Sequence, residues 1–236
     1  MIKKELHTFF TSPIGYLVIG LFIIINGLFL FVFKTDFNIL NAGFADLNSF
    51  FFLTPWVFLF LIPAITMRSF SDEIHIGTIE ILKTKPISNW QITLGKYFGA
   101  LILISIALIP TLIYVYSVYK LGNPVGNIDF ASTIGSYIGL LFLASAFIAI
   151  GLFTSTLAKN QIVAFLTAVF ISFLIYYGFE FIATSTTSKN IFIQKFGMYE
   201  HFQNLSRGLI DTRDIIYFVS ITIFFLVVTR MRVEQI

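Results

Sequence analysis

SDEIHIGTIEILKTKPISNWQITLGK, residues 71–96, stands between two long apolar runs and holds three acids, three lysines, a histidine and a proline. Around it lies a chain of 236 residues that is 57% hydrophobic and only 11% charged, with a mean hydropathy of +0.90. Such a chain lacks the polar atoms to cover a water-soluble globule and belongs in a bilayer. The apolar residues gather into separate stretches, which predicts a polytopic helical protein, and the charged stretch reads as the connection between its second and third spans.

Working outward, six spans are predicted at about 14–33, 50–67, 97–119, 134–157, 162–181 and 215–229. The first carries no charged side chain and suffices for ~30 Å of hydrocarbon at ~1.5 Å per residue. Lys3 and Lys4 precede it as in a signal peptide, but the run is too long for an h-region and no small-x-small site follows, so an uncleaved anchor is expected. The sixth run is short, roughly 22 Å at the same rise, and calls for bilayer thinning or snorkelling by Arg230 and Arg232. Six spans place both termini on one side. Nine basic residues fall there (Lys3, Lys4, Arg68, Lys83, Lys85, Lys96, Lys159, Arg230, Arg232) against six opposite, which predicts cytoplasmic termini. Lys189, Lys195, Arg207 and Arg213 of the 180–214 loop count on the outer side. Pro55, Pro63 and Pro110 sit inside spans and would bend them, or serve as ordinary membrane-helix prolines. Gly95/Gly99 and Gly135/Gly139 have the GxxxG spacing that lets helix backbones approach closely. The sequence shows no internal repeat, low-complexity tract or soluble domain.

Intramembrane catalysis or ion coupling needs ionisable groups at depth, and spans one to four have none. Asn26 could form a helix–helix hydrogen bond or line a path. Glu180, near the outer end of span five, could be solvated at the interface or act as an external gate or substrate contact. His7, His75 and His201 are too dispersed for a metal set, no HExxH occurs, and a lone histidine in a polar loop reads as solvated. With no cysteine there is neither disulfide nor thiolate chemistry. Gly95-Lys96 is followed by Tyr97 and lacks the upstream glycine of a phosphate-binding loop, so the chain hydrolyses no ATP itself. A net charge of +3 spread over scattered residues gives no case for nucleic acid. Neither an enzyme nor a cofactor site is expected, and any work must be driven through a partner.

That directs attention back to residues 71–96. If 70–83 is one helix, Phe70, Ile74, Gly77 and Ile81 share a stripe and Glu73 and Glu80 share its flank, giving an amphipathic helix on the cytoplasmic face. Pro86 stops it. Ser88 and Gln91 then have capping-box spacing and start the helix that leads into span three. The segment could be a solvated linker, but an ordered acidic edge suits docking to a basic groove.

Three stretches resemble ABC-2 type permeases. Met67 to Glu73, Gly77 to Leu82, Lys85 to Ser88 and Leu94 to Lys96 are similar to the family's loop between spans two and three, which carries the coupling helix seated on the ATPase subunit. Phe9 to Tyr16 resembles the family's interfacial N-terminal helix. His201-Phe202, Gly208 to Asp211, Arg213-Asp214 and Tyr217-Phe218 resemble its external loop before span six. The subgroup most resembled is the permease of the gliding-motility ABC transporter, and His75-Ile76 stand where relatives often carry basic residues. The resemblance implies an all-α permease half in a bacterial inner membrane. It implies pairing through spans one and five with a second membrane subunit, identical or homologous, around a path lined by spans two and five. Asp72, Glu73, Gly77, Thr78 and Glu80 would contact a pair of cytosolic ATPase subunits, Gly77 by allowing close backbone approach. The alternative is a membrane scaffold or anchor that transports nothing.

Overall fold

A computed structural model describes residues 1–41, 43–83, 87–185 and 194–235, without the side chains of residues 81–83. The expected helix stop at Pro86, the Ile81 position of the predicted stripe, and Lys83, Lys85 and Lys189 in the charge count lie outside what is described. Among the described residues every regular element is helical. In chain order they are α1 (Ile2–Thr11), α2 (Pro13–Gly27), α3 (Asn48–Thr66), α4 (Arg68–Ile76), α5 (Thr78–Lys83), α6 (Asn89–Leu108), α7 (Leu112–Leu121), α8 (Phe130–Leu157), α9 (Gln161–Phe173), α10 (Phe179–Ser185), α11 (Met198–Ser206) and α12 (Thr212–Gln235). Single π turns over Leu28–Val32 and Leu174–Gly178 extend α2 and join α9 to α10.

Among the described residues, six helical runs are long and apolar enough to cross a membrane: Pro13–Val32, Asn48–Ile76, Asn89–Leu121, Phe130–Leu157, Gln161–Ser185 and Thr212–Gln235. Local chemistry starts several of them. The Ser88 hydroxyl accepts the Gln91 amide at 3.3 Å while Gln91 Oε1 accepts the Ser88 amide at 3.1 Å, the reciprocal cap predicted from spacing. Asp129 caps span four and Asn160 caps span five in the same manner, each through its side-chain oxygen. Pro13 occupies the first turn of α2, where its missing N–H costs nothing. In span three, Pro110 lies in a 3-10 turn, Ile109–Thr111, that divides α6 from α7, whereas Pro55 and Pro63 are accommodated within α3.

One helix extends beyond its apolar run and one expectation needs correction. α12 has 24 residues, about 36 Å at ~1.5 Å per residue, with the apolar run 215–229 as its central part. The helix runs on through flanking polar residues that bond locally, with Arg230 facing Glu234 at 3.6 Å and Arg232 donating to Gln235 at 3.2 Å. The predicted helix over 70–83 is two helices. α4 is a continuation of span two, since Met67 keeps helical torsions and its amide still bonds the Pro63 carbonyl. α4 ends at Gly77, whose φ of +78° lies in the left-handed region that suits glycine at a helix C-terminus. Glu73 and Glu80 therefore sit on opposite sides of a chain reversal and share no flank.

Span four forms the centre. From Leu143 to Leu152 every residue of α8 is buried, many of them small, and it packs against spans two, three, five and six. Gly151 sits against the Thr66 hydroxyl, as close approach without a side chain allows. Sparse hydrogen bonds cross between spans: Thr54 to Asn26 at 3.4 Å, Thr111 with Tyr137 at 3.0 Å, and Ser145 with Thr222 at 3.2 Å. Asn26 is fully buried and takes the helix–helix role, donating to the Phe22 carbonyl and accepting from Thr54.

Both glycine pairs seat amphipathic helices on the bundle ends. A Cβ on Gly99 would lie 2.7 Å from Glu5 Cβ, and one on Gly95 would collide with Met1, so α1 lies in the notch of span three. At the other end a Cβ on Gly135 would strike the Leu205 carbonyl oxygen, and one on Gly139 would meet the Phe202 ring at 3.2 Å. That notch in span four receives α11. Gly135→Ala is expected to cost about 1–3 kcal/mol through backbone displacement and to lower the detergent-solubilised melting temperature. Gly20→Ala, which meets nothing within 4 Å, should be neutral or stabilising in the same melt.

Candidate functional site

The site is built at the end of the bundle that carries both termini, where α1, α4 and the start of span three converge. Lys96 is 4% exposed, one turn past the polar start of α6 and between the two glycines that seat α1. Its Nζ lies 2.8 Å from Glu73 Oε1 of α4, 3.7 Å from Glu5 Oε1 of α1, and 5.0 Å from the centre of the buried Phe70 ring. An ammonium removed from water needs anions close by, and here two carboxylates from separate elements supply them. Glu73 Oε2 is buried without a hydrogen-bond partner, which leaves the node richer in anion than in cation.

The other flank of α4 is tied to span five. Arg68 Nε donates to Gln161 Oε1 at 3.0 Å, and Gln161 Nε2 donates to Asp72 Oδ1. Because Gln161 opens α9 next to its Asn160 cap, this chain fixes α4 to the end of span five. A cavity of about 420 Å³ between α1 and α4 is lined by Lys4, Glu5, Thr8, Arg68, Asp72 and Glu73.

The expected contact residues thus divide. Asp72 and Glu73 are turned onto Gln161 and Lys96 within the chain. Thr78 folds back, its hydroxyl reaching the Glu73 carbonyl at 3.5 Å, and Ile79 is buried. His75, Ile76 (70% exposed), Gly77 and Glu80 face outward, with open space around the Gly77 Cα. The acidic edge inferred from periodicity shrinks to Glu80, because the reversal at Gly77 takes Glu73 inward.

Sequence reasoning missed Lys96, Glu5 and Gln161. One signal was present: Lys96 is a lone lysine inside a GxxxG pair at the mouth of a span. At the opposite end, Glu180 accepts from Gln194 Nε2 at 3.3 Å. Burial, and then Glu180 and Tyr177 nearby, push the Tyr199 phenol above its ordinary pKa. His201, read as solvated, is instead partnered on both ring nitrogens, by Asp214 and by the Lys195 carbonyl.

Among the described residues, six apolar helices with a buried ion node at one end and amphipathic helices seated at either end define a multi-pass helical membrane protein. The chain belongs to the ABC-2 transporter family: the family model described as ABC-2 family transporter protein matches residues 1–232. It is accordingly a membrane permease subunit of an ABC transporter and not itself a catalytic one. No curated protein matches the chain.

Lys96→Met removes the cation and leaves two carboxylates facing each other, which is expected to cost about 3–5 kcal/mol, discounted because Glu73 and Glu5 keep some water contact. Glu5→Gln should cost about 1 kcal/mol or less. Thermal melting of the purified proteins ranks the two. Gly77→Ala places a side chain at positive φ and should cost about 1–2 kcal/mol by the same measurement.

Proposed function

We propose that this chain is one half of a bacterial inner-membrane ABC-2 permease, with both termini in the cytosol, worked mechanically by a pair of cytosolic ATPase subunits at α4 and α5. The observation that carries the reading is the continuity of α4 with span two, braced by the Glu73–Lys96–Glu5 node. A push on the exposed tip at Ile76, Gly77 and Glu80 has no slack segment to dissipate in. It passes along the helical backbone at Met67 into span two, through Lys96 into span three and α1, and through Asp72 and Gln161 into span five. In this reading Gly77 and Glu80 touch the ATPase. Asp72, Glu73 and Thr78 act by holding the tip in position.

A second permease subunit, identical or homologous, completes the transporter. Support comes from spans one and five, which leave most of their apolar surface uncovered. An apolar groove of about 520 Å³ between spans one, two and five, lined by Leu21, Ile25, Trp56, Phe60 and Phe165, suits the path. Glu180 stands near the outer end of that path as its external contact. In this reading the work, export or force, serves gliding motility, which the resemblance of the N-terminal, loop and external stretches to that subgroup supports.

The test is reconstitution of the chain with its ATPase in liposomes. Wild type should stimulate ATP hydrolysis, and Glu80→Lys should weaken ATPase binding about tenfold or more, ~1.4 kcal/mol, while its melting temperature stays unchanged. Unaltered stimulation and co-purification of the Glu80→Lys variant would refute the assigned contact.

A further inference from the structure

The outer segment of the chain is held to span six by a pair that neither the family assignment nor the mechanical reading uses. His201, on α11, lies with Nδ1 2.6 Å from Asp214 Oδ1 and Nε2 2.9 Å from the Lys195 carbonyl oxygen. Its ring stacks on Tyr217 with centroids 3.9 Å apart and planes at 22°. Tyr217 in turn donates its hydroxyl to the Phe196 carbonyl at 2.6 Å. Asp214 is 3% exposed in the first turn of α12, and its Oδ2 is buried without a partner. Asn204 reaches Oδ1 only at 3.5 Å.

The chemistry of these neighbours sets the protonation of the pair. A backbone carbonyl only accepts, and so does an ionised carboxylate. Both bonds of His201 therefore form together only when the imidazole and the carboxylate share one proton beyond the neutral ring and the free anion, whichever atom carries it. The Tyr217 face favours the same state by attracting a cation. When that proton is lost, one of the two bonds must be given up.

We infer that His201 and Asp214 form a proton-dependent clasp that closes the start of this segment, residues 194–201, onto span six and releases it when the pair deprotonates, while Phe202 and Leu205 stay seated on span four. The released segment binds one proton fewer than the closed one, so the clasp contributes its stability at low pH and loses it as pH rises. The groups facing the imidazole are Asp214 and Tyr217 from α12, the Lys195 carbonyl from the preceding turn, and Asn204 through Asp214 from α11 itself. Of the charged groups further off, Glu180 accepts from Gln194 and Asp211 accepts from the Arg213 amide. The clasp stands independently of the mechanical reading, on which only the side it faces depends: with cytosolic termini it meets the exterior.

Absence of native cysteine allows a direct test on the full chain in lipid nanodiscs. Nitroxide labels at Lys195→Cys and Ile216→Cys, both exposed positions whose side chains take no part in the clasp, report the separation of the two elements. Between about pH 5 and about pH 10, a range that brackets the ordinary imidazole value of about 6.5, the population with increased separation should rise at least tenfold. His201→Gln keeps one donor without a titrating ring and should abolish the pH step. Asp214→Asn should displace it to lower pH. A distance distribution that does not change with pH, or a His201→Gln protein that keeps the wild-type step, overturns the inference.

Discussion

A lysine ammonium at the mouth of a membrane span, withdrawn from water by its own glycine neighbours, has to find anions or bend the fold to reach them. Lys96 finds two, and they belong to different elements: Glu73 on the continuation of span two and Glu5 on the N-terminal helix. The other carboxylate of α4, Asp72, is engaged by Gln161. The electrostatic demand of one buried cation thus ties three parts of the chain into a single body. α4 is held besides by the buried Phe70 and by the Arg68–Gln161–Asp72 chain to span five.

The two ends of the bundle are built alike, from glycines four residues apart on a span and a short amphipathic helix laid across them. At the seat near the termini glycine spacing matches helix spacing on both sides, since Met1 and Glu5 are four apart, as are Gly95 and Gly99, and at the other the glycines meet Phe202 and Leu205, three apart. Backbones then approach closely enough for dispersion to compensate for the weak hydrophobic drive between helices in lipid. The ends differ in chemistry. Near the termini an ion node braces the seated helix, whereas at the far end an imidazole and a carboxylate sharing a proton do so. One is a pairing of fixed ions and the other turns on a single proton shared between two groups.

Nothing in the membrane interior supplies energy. The hydrogen bonds between spans are few and neutral, joining Asn26 to Thr54 and Ser145 to Thr222. They set register without opposing a shift of one span against another. A permease with such an interior is suited to being moved from outside the hydrocarbon by a helix whose backbone continues into a span.

What the sequence determined by itself follows from solvation and local chemistry. Six apolar runs, the capping box at Ser88 and Gln91, the amphipathic N-terminus and the family were all legible, because hydropathy, caps and motifs act over a few residues. The full length of α12 was not, since the flanking charges that end its apolar run bond within the same helix. Tertiary structure alone decided which carboxylate faces in. Period 3.6 put Glu73 and Glu80 on one flank, and a single positive φ at Gly77 undid that. It also decided that His201 is clasped and Lys96 is shared. Partners 13 to 91 residues away in the chain make those contacts, and no local pattern records a neighbour that the fold brings from elsewhere.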